Sequence, residues 1–212
     1  MDSLFEFWRV VQFVDVIEFL GTFAFAISGI RLASAKKFDW FGALVVGFVT
    51  ATGGGTLRDL LLDVTPFWML SGVYFWCTVL SLIFVIIFRK HLVRLNNTFF
   101  WFDSIGLGLF VVVGVEKAMG LGYDPWVQIV MGTITGVVGG IIRDILINEI
   151  PIIFTQELYA VACIIGAAVF CLLAYLGVNL TVIEVTTAVL IFIIRIVATK
   201  YQLKLPTLKG ED

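Results

Sequence analysis

Apolar residues run along the chain in membrane-length stretches separated by short polar joints. This pattern predicts seven spanning helices, near residues 15–33, 40–61, 67–88, 102–119, 125–147, 157–177 and 180–198. Met69–Phe88 and Leu158–Val178 carry no charge and reach the roughly 20 residues that cross a hydrocarbon core of about 30 Å. Trp40–Leu57 is apolar apart from Thr and Gly. The first and fourth helices are weaker. Their uncharged cores, Phe19–Ile30 and Ser104–Val115, are bounded by Glu18 and Asp103 on one side and by Arg31 and Glu116 on the other. Charges at such places are tolerated at the interface, or against protein or water. The seventh helix carries Glu184 near its start and Arg195 near its end. Short connections make sequence neighbours antiparallel neighbours in space.

Much of the pattern is written twice. Thr52-Gly53-Gly54-Gly55-Thr56-Leu57-Arg58-Asp59 recurs in outline, 85 residues on, as Val137-Val138-Gly139-Gly140-Ile141-Ile142-Arg143-Asp144, and each copy is followed by a proline, Pro66 or Pro151. Residues 18–76 lie over 103–161 without a gap. Gly21, Phe25, Gly29, Asp39, Gly47, Thr50 and Tyr74 meet their equals, and Glu18 meets Asp103. Each copy holds three helices. Three is odd, so the second copy enters the membrane from the opposite side. The predicted fold is an all-α integral membrane domain over residues 1–212. It consists of two inverted three-helix repeats (about 13–90 and 99–178) related by a pseudo-two-fold axis in the membrane plane. A seventh helix, 180–198, and a polar tail, 199–212, stand outside the duplication.

The glycines are the first candidate site. Gly53 lies about 20 Å along the second helix from Trp40, at 1.5 Å per residue, well inside the hydrocarbon. Consecutive glycines there weaken a helix, and a break is tolerated only against protein or a wet cavity. The second and fifth helices are therefore expected to be broken at Gly53, Gly54 and Gly55 and at Gly139 and Gly140, and the breaks to meet at a permeation path. The competing reading is close packing of small residues between helices. Thr50, Thr52, Thr56, Thr133 and Thr135 flank the glycines and offer hydroxyls to a partly dehydrated cation, although each taken singly is expected to bond back to its own helix. Arg58, Asp59, Arg143 and Asp144 are candidates for gating or ion pairing. Adjacent residues on a helix do not face each other, so each of these charges is expected to pair elsewhere. Lys117, at the end of the fourth helix, either contacts the path or reaches to water.

Composition sharpens this picture. With 60% hydrophobic residues, 14% charged residues and a mean hydropathy of +1.06, a chain of 212 residues cannot hide its apolar side chains in an aqueous core. Its twenty Phe and six Trp suit bilayer packing and interfacial anchoring. Cys77, Cys163 and Cys171 lack CxxC spacing and read as packing residues, and His91 reads as a solvated residue of a basic loop. No HExxH, no Ser with a His partner and no nucleotide loop occurs, so an enzyme is not expected. No cofactor and no metal beyond a transient K+ is expected, and nucleic acid is not among the expected partners. Asp2, Glu6, Asp15 and Glu18 make the start acidic, unlike a cleavable signal. Arg31, Lys36, Lys37, Arg89, Lys90, Arg94, Arg143, Arg195, Lys200, Lys204 and Lys209 fall on one side of the membrane; Arg9, Arg58 and Lys117 fall on the other. The basic side should be cytoplasmic, with the N-terminus outside and the C-terminus inside. Lys36-Lys37 and Arg89-Lys90 suit anionic lipid headgroups.

Two three-helix repeats with a seventh helix, and the GGGTLRD and GGIIRD motifs, resemble the TRIC family of trimeric intracellular cation channels in a prokaryotic form. The resemblance runs from about Phe13 to Lys200. It implies a homotrimer in a bacterial inner membrane, with a pore in each subunit lined by the kinked second and fifth helices. It also implies K+ as the main permeant ion and an anionic lipid such as phosphatidylglycerol as a bound partner. The same family carries a glycine-transporter label, which leaves a secondary transporter for a small zwitterion as the alternative. Animal members have a Lys-Glu-Val motif linked to gating. Here the matching stretch reads Val115-Glu116-Lys117, in a different order.

Overall fold

In a computed structural model, residues 13–94, 98–155 and 158–203 are described, and they form an all-α bundle. The helices are α1 (Phe13–Ala35), α2 (Trp40–Leu61), α3 (Phe67–Leu70), α4 (Val73–Arg94), α5 (Thr98–Gly120), α6 (Pro125–Leu146), α7 (Ile152–Thr155), α8 (Tyr159–Tyr175) and α9 (Leu180–Tyr201). Five of them, α1, α2, α5, α6 and α9, are long and apolar enough to cross a membrane. Two further apolar stretches, Val73–Arg89 and Tyr159–Tyr175, are shorter.

The helix ends follow local chemistry, and they follow it in pairs. Asp39 caps α2, its carboxylate accepting from the Gly42 amide at 2.7 Å. At the matching place Asp124 precedes α6, which opens on Pro125, whose missing N–H costs nothing there. α1 stops where Lys37 turns left-handed (φ 62°) and the Phe38 amide reaches back to the Ala33 carbonyl. α5 stops in the same way at Gly122 (φ 79°), with the Tyr123 amide on Ala118. α2 and α6 end at Asp63 and Asn148, where Val64 and Glu149 reach back to Asp59 and Asp144. All four are six-residue C-terminal turns that satisfy otherwise orphaned carbonyls.

The centre of the bundle consists of the two helices whose charges made them weak in the hydrophobic pattern. In their most apolar windows α5 is 67% and α1 56% buried, against 28% for α9. Phe25 stacks on Phe110 with ring centroids 5.1 Å apart, amid Ile27, Ile30, Leu107 and Val111. Asp103, at the foot of α5, is buried against protein rather than at the interface.

Several expectations need correction. α2 and α6 are unbroken α-helices through Gly53–Gly55 and Gly139–Gly140. Both glycine sets are packed against other helices, so no backbone group is freed and nothing favours a break. The span expected over 67–88 divides into α3 and α4, because Pro66 starts one turn of helix and Ser71–Gly72 interrupts it. α7 likewise precedes α8. α4 continues to Arg94, so His91 stands on a helix, not in a loop. Helix α9 reaches Tyr201, which takes residues 199–201 out of the expected tail. Arg9 and residues 204–212 lie outside the described residues.

Candidate functional site

α2 and α6 cross where the glycines were expected to break them. A Cβ added to Gly54 would lie 2.2 Å from the Thr135 carbonyl oxygen, and one added to Gly139 would lie 2.2 Å from the Thr50 carbonyl oxygen. Moving 85 residues along turns Gly54 into Gly139 and Thr50 into Thr135, so each contact is the image of the other. The same two threonines are clasped from behind. A Cβ on Gly29 would meet Thr50 Oγ1 at 2.5 Å, and one on Gly114 would meet Thr135 Oγ1 at 2.4 Å. The absence of side chains here serves close approach of helices, as small residues do in membranes. Gly53 abuts Ile142, Gly55 abuts the Phe67 ring, and Gly140 faces the Tyr159 hydroxyl at 3.0 Å.

The threonines bond within their own helices. The hydroxyls of Thr50, Thr52, Thr56, Thr133 and Thr135 donate to the carbonyls of Val46, Phe48, Thr52, Ile129 and Met131, at 2.6–2.8 Å. Each keeps acceptor capacity on its oxygen. Thr56 uses it, taking a bond from Trp68 Nε1 at 2.9 Å.

Each Arg-Asp pair closes on itself, contrary to the expectation that the charges would pair elsewhere. Arg58 Nε donates to Asp59 Oδ1, and Arg143 Nε donates to Asp144 Oδ1, both at 2.8 Å. The guanidinium stem is long enough to bend across to its neighbour. The other oxygen of each Asp accepts the first amide of the short helix that follows. Phe67 N reaches Asp59 Oδ2 at 2.8 Å, and Ile152 N reaches Asp144 Oδ2 at 3.0 Å. The motif is thus a buried brace that ties the end of a long helix to the turn after the proline.

Beyond the brace the two ends differ. Arg143 also pairs with the buried Asp103 and donates to Ser28 Oγ at 2.8 Å. At the other end Glu18 stands where Asp103 would, but it accepts from the Tyr74 hydroxyl at 2.7 Å, and Arg58 Nη1 and Nη2 are buried without a partner. Lys117 crosses from α5 to Asp59 Oδ1 at 2.9 Å with its side chain 31% exposed. A cavity of about 220 Å³ lined by Glu18, Phe67, Glu116 and Lys117 adjoins this end. Ser28, Glu18, Asp103, Tyr74 and Tyr159 were not singled out as site residues from sequence. The recurrence of Glu18 as Asp103 and of Tyr74 as Tyr159 was the signal available for four of them. Among the described residues no group of three or more His, Cys, Asp or Glu is placed to hold a metal.

The family described as glycine transporter matches the chain twice, over residues 15–90 and 100–175, and the offset of 85 residues is that of the motif. The UPF0126 inner membrane protein YadS of Escherichia coli K12 is 41% identical over 204 residues, which covers 93% of this chain and 96% of that one. A solved structure of a TRIC cation channel superposes with a TM-score of 0.84 at 35% identity, covering 95% of this chain and all of that one. The chain belongs to the TRIC family. The trimeric intracellular cation channel orthologue from Rhodobacter sphaeroides is as similar in fold, with a TM-score of 0.85 at 33% identity over 90% of this chain and 98% of that one. TRIC-family proteins are channels or transporters, not enzymes, and this member is a membrane protein with transmembrane helices.

Proposed function

We propose that this TRIC-family chain is a K+-permeable monovalent cation channel, with a path along α2 and α6 in each subunit of a homotrimer. The observation that carries the proposal is the reciprocal Gly54–Thr135 and Gly139–Thr50 crossing, set in a fold shared at 35% identity with a TRIC cation channel. That reciprocity also supports two inverted repeats whose axis passes between α2 and α6. A crossing made of glycines has no interlocking side chains, so small sliding of the helices separates them. Separation turns the Thr50 and Thr135 carbonyls and the free lone pairs of the threonine hydroxyls toward the gap. Oxygen ligands of this kind replace part of the hydration shell of a cation. In the present conformation the crossing is shut.

The ends of the path carry charge. Lys117 and Asp59 join α5 to α2 at one end, and Lys36 and Glu149 join the α1–α2 turn to the α6–α7 turn at the other. The second end also holds Arg31, Lys37, Arg89 and Lys200, which supports placing it in the cytoplasm of a bacterial inner membrane, with the N-terminus outside.

The family description favours a second reading, a secondary transporter for glycine. Planar-bilayer recording of the purified protein in asymmetric KCl, with glycine then added, separates the two. Step-like currents reversing toward the K+ potential and indifferent to glycine are expected. A silent bilayer, with gradient-driven and saturable glycine uptake in vesicles of the same preparation, would replace the channel with the transporter.

A further inference from the structure

At the basic end, three cations from three different elements converge on one cavity. Arg31 comes from the last third of α1, Lys37 from the turn after it, and Arg89 from α4; the cavity between them has a volume of about 370 Å³. Among the described residues none of the three has an ion-pair partner, and Arg31 Nε is buried without a hydrogen bond. The neighbouring Lys36, by contrast, is taken by Glu149. Ser34 adds a hydroxyl to the wall. Below the cations the wall is apolar, formed by Leu82 and Ile86 of α4. Trp40 stands at the rim with most of its surface exposed.

The other repeat supplies a comparison. Eighty-five residues on, Arg31, Lys37 and Arg89 become Glu116, Gly122 and Ala174. Ala43 and Ile86 become Gln128 and Cys171, which bond to each other at 3.4 Å, while Gln128 Nε2 also donates to the Tyr123 carbonyl at 2.6 Å. The counterpart wall is thus occupied by its own side chains and carries no cation. The positive pocket exists at one end only.

We propose that the Arg31–Lys37–Arg89 pocket binds the phosphate headgroup of an anionic phospholipid. Clustered cations at a membrane surface attract anionic headgroups, and a buried guanidinium N–H without a partner is a donor waiting for an acceptor. The apolar wall beneath selects a lipid over free phosphate, because an acyl chain follows Leu82 and Ile86 while the headgroup meets the cations. The proposal rests on the membrane assignment and not on the channel reading.

Native mass spectrometry of the purified protein with dioleoyl-phosphatidylglycerol, dioleoyl-phosphatidylcholine or inorganic phosphate tests it. Phosphatidylglycerol should be retained in preference to phosphatidylcholine. Arg31→Gln, Lys37→Gln and Arg89→Gln should each weaken retention about fivefold, the effect of roughly 1 kcal/mol per surface cation. Arg89→Lys should hold the lipid, and Lys200→Gln, at the same end but outside the pocket, should change nothing. Equal retention of the two lipids, or pocket variants no weaker than Lys200→Gln, would overturn the site. Displacement of the lipid by inorganic phosphate at equal concentration would overturn the choice of a lipid. If Arg31→Gln does not fold, Lys37→Gln and Arg89→Gln, whose side chains are exposed, carry the test.

Discussion

The Arg58–Asp59 end and the Arg143–Asp144 end begin from the same brace and finish differently. Both aspartates hold their neighbouring arginine with one oxygen and the next helix with the other. One methylene separates the outcomes. Asp103 is short and meets Arg143, whereas Glu18 is longer and is taken up by Tyr74. The second end is therefore a closed network of Arg143, Asp103, Asp144 and Ser28. The first end leaves two Arg58 nitrogens unbonded, shares Asp59 with a partly exposed lysine, and borders a cavity. Duplication gives both ends the same local structure; the third partner decides whether an end is fixed or adjustable.

Removing the arginines should expose this difference most strongly. Arg143→Leu strands two buried carboxylates, Asp103 and Asp144, and breaking a buried pair in this way costs about 3–5 kcal/mol. Arg58→Leu strands only Asp59, which keeps Lys117 and the Phe67 amide. Its cost should be roughly 1–2 kcal/mol, that of one lost buried partner. Thermal unfolding of both variants in detergent measures the gap. Equal losses would mean that Asp103 adds nothing to the closed end.

At the crossing the two copies should behave alike. Gly54→Ala and Gly139→Ala each push a methyl group into a backbone carbonyl of the partner helix. Helix backbone moves less readily than a side chain, so both should lose about 1–3 kcal/mol, as overpacked cores do. Gly140→Ala, which faces only the Tyr159 hydroxyl and the Arg143 side chain, should lose less. A large inequality between Gly54→Ala and Gly139→Ala would carry the asymmetry of the ends into the centre. The same geometry makes Gly54→Leu a folding defect rather than a clean plug.

Much of this was legible in the chain. The repeat, its register and the seven apolar stretches appear as helices near their expected places, and Asp39, Asp124, Pro66 and Pro151 mark ends where they should. The glycines misled because a break and a close approach both call for a missing Cβ. The arbiter was the spacing: Thr50 and Gly54, like Thr135 and Gly139, are four apart and so share one helix face. The charges in the first and fourth helices weakened the pattern for a related reason. Hydropathy counts Asp103 against a span, but its partner, Arg143, lies 40 residues away and only the packed bundle brings it near. Lys117 had two destinations open to it in sequence, and its contact with Asp59 is likewise a product of tertiary packing.

Lys117 tests whether the adjustable end matters to flux. As a partly exposed ion pair it should contribute less than about 1 kcal/mol to stability. On the channel reading, Lys117→Gln unties α5 from α2 and should raise the open fraction in bilayer recordings while leaving the unfolding temperature nearly unchanged. Lys36→Gln removes the corresponding tie at the other end, where both side chains are well exposed, and gives the control. An open fraction unmoved by Lys117→Gln would reduce the pair to a surface contact.

The smallest expected effect comes from the two tyrosines that occupy matching positions. The Tyr74 hydroxyl donates to Glu18, and Phe in its place removes that bond and leaves the carboxylate to find water from the adjoining cavity. A net hydrogen bond is worth about 0.5–1.5 kcal/mol, and Tyr74→Phe should lose that much. The Tyr159 hydroxyl is buried and makes no hydrogen bond. Its ring lies 4.6 Å from the Arg195 guanidinium, a contact a phenylalanine retains. Tyr159→Phe should therefore be neutral or slightly stabilising, since it removes an unsatisfied buried group and keeps the packing. The sign of the difference between the two variants is the sharpest form of the comparison. If Tyr159→Phe proved the costlier, its hydroxyl would have to serve Asp103 or Arg143 through water, and the closed end would be held by one more partner than its direct contacts provide.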